Sequence, residues 1–186
     1  VLGAERVQAG DVLVALGSSG LHSNGYSLAR HVFFALAQWS LDRQVDELGR
    51  TLGEELLEPT RIYSRDCLAL ASAQREHLHA FTHITGGGIG ENLGRVIPAG
   101  LTATVDRGTW TPAPIFGLVG DVGSVAREDL ERTFNQGIGM VAVVAPEAAD
   151  ATLRLLTDRG VPAWACGQVA VSDSSERARL VGDHPA

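Results

Sequence analysis

The sequence GDVLVALGSSGLHSNGYSLAR, residues 10–30, contains the pattern that decides the fold. Residues 12–17 are continuously apolar with β-branched valines, which is typical of a strand buried on both faces. Glycine and serine dominate residues 17–25, and apolar side chains then recur at four-residue spacing from Tyr26 to about Trp39. This spacing predicts a helix. A buried strand, a glycine loop and a helix in succession indicate an α/β domain.

Strand-like and helix-like segments go on alternating along the rest of the chain. Further strands are predicted over 80–85, 101–106, 140–145, 162–171 and 177–181. Helices are predicted over 59–77, 89–96, 127–134 and 146–159, with a helical leucine stripe within 40–58, whereas 107–124 is mostly loop or short helix. We therefore predict a single three-layer α/β domain over 1–186, a mixed β-sheet flanked by helices, with its strand order open and a frayed tail over 182–186.

The charge of the chain limits the classes of function. Of 186 residues, 15 are basic and 22 acidic, which gives a net charge of −7. This balance argues against general binding of nucleic acid or of acidic membranes. Every basic residue is arginine, so a Walker-type phosphate loop and a Schiff-base lysine are excluded within this sequence.

The cysteines and the apolar runs predict a cytoplasmic protein. Cys67 and Cys166 lie far apart in apolar surroundings, which favours free thiols in a reducing compartment. No apolar run approaches the roughly 20 residues of a membrane-spanning helix. The first residues have neither the composition of a signal peptide nor an initiator methionine, so we expect a piece of a longer chain.

The loop GSSGLHSNG, residues 17–25, is the first candidate for chemistry. Its backbone N–H groups precede a predicted helix, and this arrangement suits an anion such as phosphate. The serines and the asparagine add short polar groups, and His22 could donate a hydrogen bond or titrate near neutral pH. A tight turn with a helix cap and a surface histidine explains the same residues equally well.

Two further loops have comparable patterns. The sequence THITGGGIGEN, residues 82–92, is again strand, glycine loop and helix, but glutamate and leucine stand where a dinucleotide fingerprint needs glycine. In RTFNQGIGM, residues 132–140, Arg132 could bind a phosphate or carboxylate and Asn135 could bind an amide or a base edge. A crowded turn, a surface arginine and a turn asparagine are the structural alternatives.

The histidines and aspartates of the chain give weaker evidence for a functional site. The histidines at 77, 79 and 83 have partly metal-like spacing, yet a predicted strand begins among them, and solvated or core histidines are the favoured interpretation. Asp106 and Asp121 stand alone, whereas a magnesium site usually needs clustered carboxylates. We predict no metal ligand in this chain.

Four ordered motifs together resemble one enzyme family. They are GDVLVALGSSGLHSNGYSLAR, LLEPTRIYSRDCLAL (56–70), HITGGGIGENLGRVIP (83–98) and RTFNQGIGM. In this order they resemble the phosphoribosylformylglycinamidine cyclo-ligases, also called aminoimidazole ribonucleotide synthetases. The resemblance extends over about 7–181, and only the segment 40–55 matches no known motif.

The resemblance implies a two-domain, ATP-dependent ligase of purine biosynthesis, of which this chain is the C-terminal α/β domain. Such an enzyme closes the imidazole ring of formylglycinamidine ribonucleotide and yields aminoimidazole ribonucleotide, ADP and phosphate. The N-terminal domain, absent from this chain, would hold most of the ATP and Mg²⁺ and would form the homodimer interface. The chain alone would therefore be inactive.

The resemblance also implies roles for the three loops. His22 is the first candidate for a catalytic group. The remaining candidates are expected to bind substrate and are Ser18, Ser19, Gly20, Ser23, Asn24, Gly25, Thr85, Gly86, Gly87, Gly88, Glu91, Asn92, Arg132, Asn135 and Gly137. Because His22 would lie in a loop that binds rather than packs, we expect His22→Ala to lower turnover more than stability.

Two other classes of function remain open on sequence alone. One is a different ATP-using enzyme on the same scaffold, similar to formylglycinamidine ribonucleotide synthase or selenophosphate synthetase. The other is a non-catalytic module that senses phosphate or nucleotide and forms no product.

Overall fold

The computed structural model describes residues 2–185. Its strands are β1 (Val12–Gly17), β2 (Gln44–Val45), β3 (Arg50–Thr51), β4 (Leu78–His83), β5 (Leu101–Asp106), β6 (Ile138–Val144), β7 (Ala163–Val171) and β8 (Ala178–Val181). Its helices are α1 (Tyr26–Arg30), α2 (Leu52–Leu56), α3 (Ser64–Ala73), α4 (Gly88–Gly94), α5 (Pro114–Gly123), α6 (Arg127–Thr133) and α7 (Ala149–Asp158). A π-helical segment, His31–Leu36, continues α1.

Six strands form one mixed sheet in the order β4-β6-β1-β7-β5-β8. The pairings are antiparallel except for β5 with β8, which is parallel. The end of β1, the end of β4 and the start of β6 therefore meet at the same edge of the sheet, because Gly17 pairs with Ile138 and His83 with Met140. The loops at this edge are those that the sequence analysis singled out.

Alternating side chains of β1 contact helices on opposite faces of the sheet. Val14 and Leu16 belong to a core with Leu70 of α3 and Leu156 of α7. Leu13 belongs to a second core with residues of α4. Both faces are covered, as the continuously apolar pattern of β1 predicts, and the prediction of a three-layer α/β domain with a mixed sheet is confirmed.

A third core lies between α1, α2 and α5. Phe33, Leu52 and Phe116 are fully or almost fully buried within it. The segment 107–124, which we expected to be mostly loop or short helix, contains the ten-residue helix α5, which fills just over half of it. Pro114 occupies the first turn of α5, where its missing N–H breaks no hydrogen bond, and a β-carbon at Gly123 would overlap Val32.

The segment 40–58 also differs from the predicted leucine stripe. It forms the hairpin of β2 and β3 and then the short helix α2. Gly49, at φ 64°, ends a helical turn before the hairpin closes. Thr51 and Glu54 then start α2 with a capping box, in which each side chain accepts a hydrogen bond from the backbone of the other.

We expect Thr51→Ala to lower the free energy of unfolding by about 1 kcal/mol, since it removes this cap. Thr51→Ser keeps the hydroxyl and should retain most of the stability. Urea denaturation measures both. Equal losses for serine and alanine would show that the cap does not stabilise α2.

Two other boundaries were predicted wrongly. The helix expected from Pro59 begins only at Ser64, because residues 59–61 instead bond to the 17–25 loop. The tail over 182–186, expected to be frayed, is held by side chains as far as it is described. Asp183 pairs with Arg127, and His184 packs against the ring of Trp110.

Candidate functional site

The three glycine-containing loops lie together at one edge of the sheet and bond to one another. The N–H of Ser18 donates to the carbonyl of Gly137 at 2.9 Å. On the other side, the N–H of Gly87 donates to the carbonyl of Arg132, also at 2.9 Å. The 132–140 loop thus lies between the other two and joins them into one surface.

Asn135 bonds the first loop to the third. Its side chain is 2% exposed, and its Oδ1 accepts from Ser18 Oγ at 2.9 Å and from the Gly137 N–H at 2.8 Å. Its Nδ2 donates to the carbonyls of Gly20 and Leu21. Both ends of the amide are therefore occupied within the protein, and Asn135 shapes the loop instead of presenting a free amide to a ligand.

Asn92 has the same function for the second loop. It is also 2% exposed, and its Nδ2 donates to the carbonyls of Thr85, Gly86 and Gly88. Its Oδ1 accepts from Thr85 Oγ1 at 3.1 Å. The hydroxyl of Thr85 and the amide of Asn92 are consequently used internally, whereas Gly86 is exposed.

The first and second loops each need a glycine where they lie close to a neighbouring residue. Gly88 has φ 65°, and a β-carbon there would overlap the backbone oxygen of Glu131. Gly25 has φ 78°, and a β-carbon there would overlap the ring of Phe134. These two glycines fit the crowded-turn explanation as well as a binding role.

The first loop leaves backbone donors free. Within the described chain, the N–H groups of residues 20–23 have no hydrogen-bond acceptor. Asn24 is half-buried and Ser23 is exposed, and Ser23 Oγ lies 3.2 Å from Thr60 Oγ1. Free N–H groups beside a glycine are the donors that an anionic oxygen requires.

Residues 59–61 form a part of this surface that the site prediction omitted. Ser19 Oγ donates to the carbonyl of Pro59 at 2.7 Å and accepts from the N–H of Arg61 at 3.1 Å. These residues belong to the quoted motif LLEPTRIYSRDCLAL. The available signal was that motif itself, which we assigned to a helix and therefore not to the site.

His22 is buried, not on the surface. It is 5% exposed and has φ 60°. Its Nε2 accepts a hydrogen bond from the N–H of Ser19 at 3.1 Å. Burial, then the nearby His83 and Arg61, lower the pKa of His22 from 6.5 to about 4. His22 is therefore neutral at pH 7 and its ring packs inside the loop, while the expectation that this loop binds a ligand stays a prediction.

The lowered pKa of His22 predicts a stability that depends on pH. Well above pH 6.5 the histidine is neutral in both folded and unfolded chains, so it adds no pH dependence there. Between pH 6.5 and 4 the unfolded chain takes up the proton more readily. We expect the free energy of unfolding to fall by about 2 kcal/mol from pH 7 to pH 5 through this group.

The control for this prediction is His22→Gln, whose amide cannot titrate in this range. The difference in unfolding free energy between the original protein and the variant should shrink by that amount between pH 7 and pH 5 in urea melts. A difference that stays constant with pH would mean that His22 titrates normally in the folded protein.

Arg132 and Glu91 line a cleft of about 580 Å³ between α4, α6 and β8, and Gly87 of the second loop lines it as well. Arg107 also lines this cleft and is paired with Glu131 at 2.7 Å. As far as residues 2–185 show, no part of the 17–25 loop lines it. The backbone of Arg132 therefore belongs to the joined loops, while its side chain faces a neighbouring depression.

Within residues 2–185, no three histidine, cysteine, aspartate or glutamate side chains converge as metal ligands. His79 instead bonds Asp11 at 2.7 Å, at the opposite end of the sheet. Cys67 and Cys166 are free thiols. No helix in the described part of the chain has the length and apolar character needed to cross a membrane.

Several curated proteins are similar to this chain in sequence. The chain is 62% identical over 182 residues to a Streptomyces fradiae protein with a provisional phosphoribosylformylglycinamidine cyclo-ligase name, which covers 96% of this chain and 99% of that protein. It is 46% identical to the phosphoribosylformylglycinamidine cyclo-ligase of Geobacillus kaustophilus, over 89% of this chain and 47% of that enzyme. The chain spans about half the length of most of the curated relatives that it matches.

Solved structures share the fold. The thiamine-monophosphate kinase of Stenotrophomonas maltophilia superposes with a TM-score of 0.63 at 18% identity, over 99% of this chain and 54% of that chain. A hydrogenase maturation protein HypE solved in complex with ATP superposes with a TM-score of 0.55 at 16% identity, over 96% of this chain and 49% of its own. At these identities the likeness concerns the fold alone.

The family description "AIR synthase related protein, C-terminal domain" matches residues 8–178, which include all three loops and every strand of the sheet except the end of β8. With this match over most of its length, the chain belongs to the family of AIR synthase related C-terminal domains.

Proposed function

We propose that this chain is the substrate-binding half of a phosphoribosylformylglycinamidine cyclo-ligase. The observation that carries the proposal is the joining of three loops by backbone bonds at one edge of the sheet, with Asn135 between them. The curated relatives with this name at 46% identity support it. The reaction would close the imidazole ring of formylglycinamidine ribonucleotide in purine biosynthesis.

The proposed reaction depends more on how the protein positions the substrate than on covalent catalysis by the protein. The formyl-amide oxygen of the substrate is phosphorylated at the expense of ATP, and the amidine nitrogen then displaces phosphate as the ring closes. Fixed N–H donors that match developing negative charge lower the barrier for such steps. The free N–H groups of residues 20–23, with the side chains of Ser23 and Asn24, would supply these donors.

The described residues of this chain suit a phosphate group of ATP better than they suit Mg²⁺. Gly86 is exposed, and the N–H groups of residues 20–23, which have no acceptor within residues 2–185, suit a phosphate oxygen. The carboxylates that Mg²⁺ prefers do not converge within residues 2–185. We therefore assign most of the ATP and Mg²⁺ contacts, and the interface of a homodimer, to an N-terminal domain beyond this chain. Such an enzyme would work in the cytoplasm, and the chain alone would be inactive.

Ligand preference tests the proposal on the 186-residue chain itself. Calorimetric titration should detect binding of formylglycinamidine ribonucleotide and weaker binding of thiamine monophosphate, the substrate class of the kinase with the same fold. Asn24→Ala should weaken the binding, because Asn24 has no internal partner in the described structure. Tighter binding of thiamine monophosphate would favour a kinase-like relative over the cyclo-ligase.

A further inference from the structure

Two buried donor atoms near the joined loops have no acceptor. They are Nδ1 of His22 and Nε of Arg61, which make no hydrogen bond within residues 2–185. Two more such atoms, on Thr152 and Trp164, lie on α7 and β7. Buried polar atoms in folded proteins are almost always paired, so two unpaired donors at one loop surface require an explanation.

The bond to Ser19 fixes the tautomer of His22. Nε2 accepts the N–H of Ser19, so in the neutral ring the proton resides on Nδ1. Nδ1–H is thus a donor held in one direction by a ring that is 5% exposed. The ring contacts the backbone of β6, where a β-carbon at Gly139 would come within 2.8 Å of His22 Cε1.

Arg61 is held beside His22 by the same serine. The backbone N–H of Arg61 donates to Ser19 Oγ at 3.1 Å, while the backbone N–H of Ser19 donates to the His22 ring. Arg61 is close enough to His22 to contribute to the lowering of its pKa. In the described structure the guanidinium of Arg61 forms no ion pair with a carboxylate.

We propose that His22 Nδ1–H and Arg61 Nε–H together bind a phosphoryl oxygen, so that Arg61 is a further substrate-binding residue and His22 a neutral hydrogen-bond donor. The geometry of the two donors does not depend on the proposed function. The assignment of the phosphoryl group to a nucleotide of the cyclo-ligase reaction, in contrast, rests on the proposed function.

A phosphoryl group fits these donors better than a carboxylate. Besides the two buried donors, the remaining N–H groups of the guanidinium and the N–H groups of residues 20–23 are free within the described chain. Three terminal oxygens can accept from several such donors at once, and arginine binds phosphate with two parallel hydrogen bonds. The phosphoryl group could come from the ribose 5-phosphate of the substrate or from ATP.

Nuclear magnetic resonance of the 186-residue chain at pH 7 tests the proposal directly. Long-range proton–nitrogen spectra of the imidazole should show His22 neutral with its proton on Nδ1. Ribose 5-phosphate, inorganic phosphate and ATP are then added separately. The Nδ1–H signal of His22 and the Nε–H signal of Arg61 should shift together, and the probe that shifts them at the lowest concentration identifies the source of the phosphoryl group. Ribose without phosphate should leave both unchanged.

Arg61→Gln should weaken binding of the effective probe about tenfold or more, since it removes a charged donor. Arg65→Gln is the matched control, because Arg65 is an exposed arginine four residues further along the chain, in α3, and it should leave the affinity unchanged. Unchanged resonances with all three phosphoryl probes, or a proton on Nε2 of His22, would overturn the proposal. The spectra of the original chain are informative even if Arg61→Gln fails to fold.

The two proposals fail in different ways. Shifts at His22 and Arg61 in a protein that does not bind formylglycinamidine ribonucleotide would keep the phosphoryl site and refute the cyclo-ligase. Binding of that nucleotide with both resonances unmoved would keep the cyclo-ligase and refute the site.

Discussion

Gly88→Ala is expected to lower the free energy of unfolding by about 3 kcal/mol or more. Alanine at φ 65° is strained by roughly 1–2 kcal/mol. Its β-carbon would also overlap the backbone oxygen of Glu131, which cannot rotate away as a side chain would. The loop would have to move from α6 and lose the bond from the Gly87 N–H to the Arg132 carbonyl.

Gly86 provides the matched control two residues earlier. It is exposed, it has no positive φ, and a β-carbon there would have no atom within 4 Å. Gly86→Ala should therefore change the unfolding free energy by less than about 1 kcal/mol. Thermal or urea melts of both variants measure the contrast. Equal stability of the two variants would contradict the close contact between the second loop and α6.

Asn135→Ala should have the second largest effect, again about 3 kcal/mol of unfolding free energy. The change removes four hydrogen bonds at once and leaves the carbonyls of Gly20 and Leu21, the hydroxyl of Ser18 and the N–H of Gly137 without this partner. Because these groups hold the 17–25 loop against the 132–140 loop, ligand binding should be lost together with stability.

Two further variants distinguish a residue that holds the 17–25 loop in place from a residue that binds the ligand. Asn135→Asp keeps an acceptor for Ser18 but turns an oxygen toward the carbonyls of Gly20 and Leu21, so it should be destabilising as well. Asn24→Ala, in which no internal hydrogen bond is lost from the described structure, should keep the stability and weaken ligand binding. An Asn135→Asp variant as stable as the original protein would show that the Nδ2 bonds do not hold the loop.

The sequence predicted well those elements whose pattern is local. Alternation in LTATVD predicted β5 with its observed bounds, and the apolar runs predicted β1 fully and β6 and β7 within two residues. Strand, glycine loop and helix in succession placed the first loop between its observed strand and helix, whereas around the second loop β4 ends at His83 instead of residue 85 and α4 begins at Gly88 instead of residue 89. Each of these elements depends on residues that are close together in the chain. Periodicity and glycine content therefore indicate such elements directly.

Elements that depend on distant contacts were missed. The glycines of α5 suggested a loop, yet Gly120 and Gly123 allow close packing against Leu130 and Val32. Pro59 resembled a helix start, but residues 59–61 bond to Ser19, forty residues earlier. Tertiary contacts outweighed local propensity at both places.

The roles of the site residues were harder to predict than their identities. Asn135 and Asn92 stand in the expected loops, yet their amides bond to the protein's own backbone. Arg61 was not among the expected site residues, although its Nε is a buried donor without a partner. Whether a polar side chain is satisfied internally depends on the three-dimensional hydrogen-bond network, which a sequence pattern does not contain.

Turnover by a chimeric enzyme tests the central proposal most directly. This chain would replace the matching half of the Geobacillus kaustophilus cyclo-ligase, to which it is 46% identical over 166 residues. With ATP, Mg²⁺ and formylglycinamidine ribonucleotide, we expect aminoimidazole ribonucleotide and ADP in equal amounts, whereas the 186-residue chain alone should form neither. A folded chimera that releases ADP without the imidazole, or that binds ATP and forms no product, would contradict the proposal that this chain provides the substrate-binding half of a cyclo-ligase.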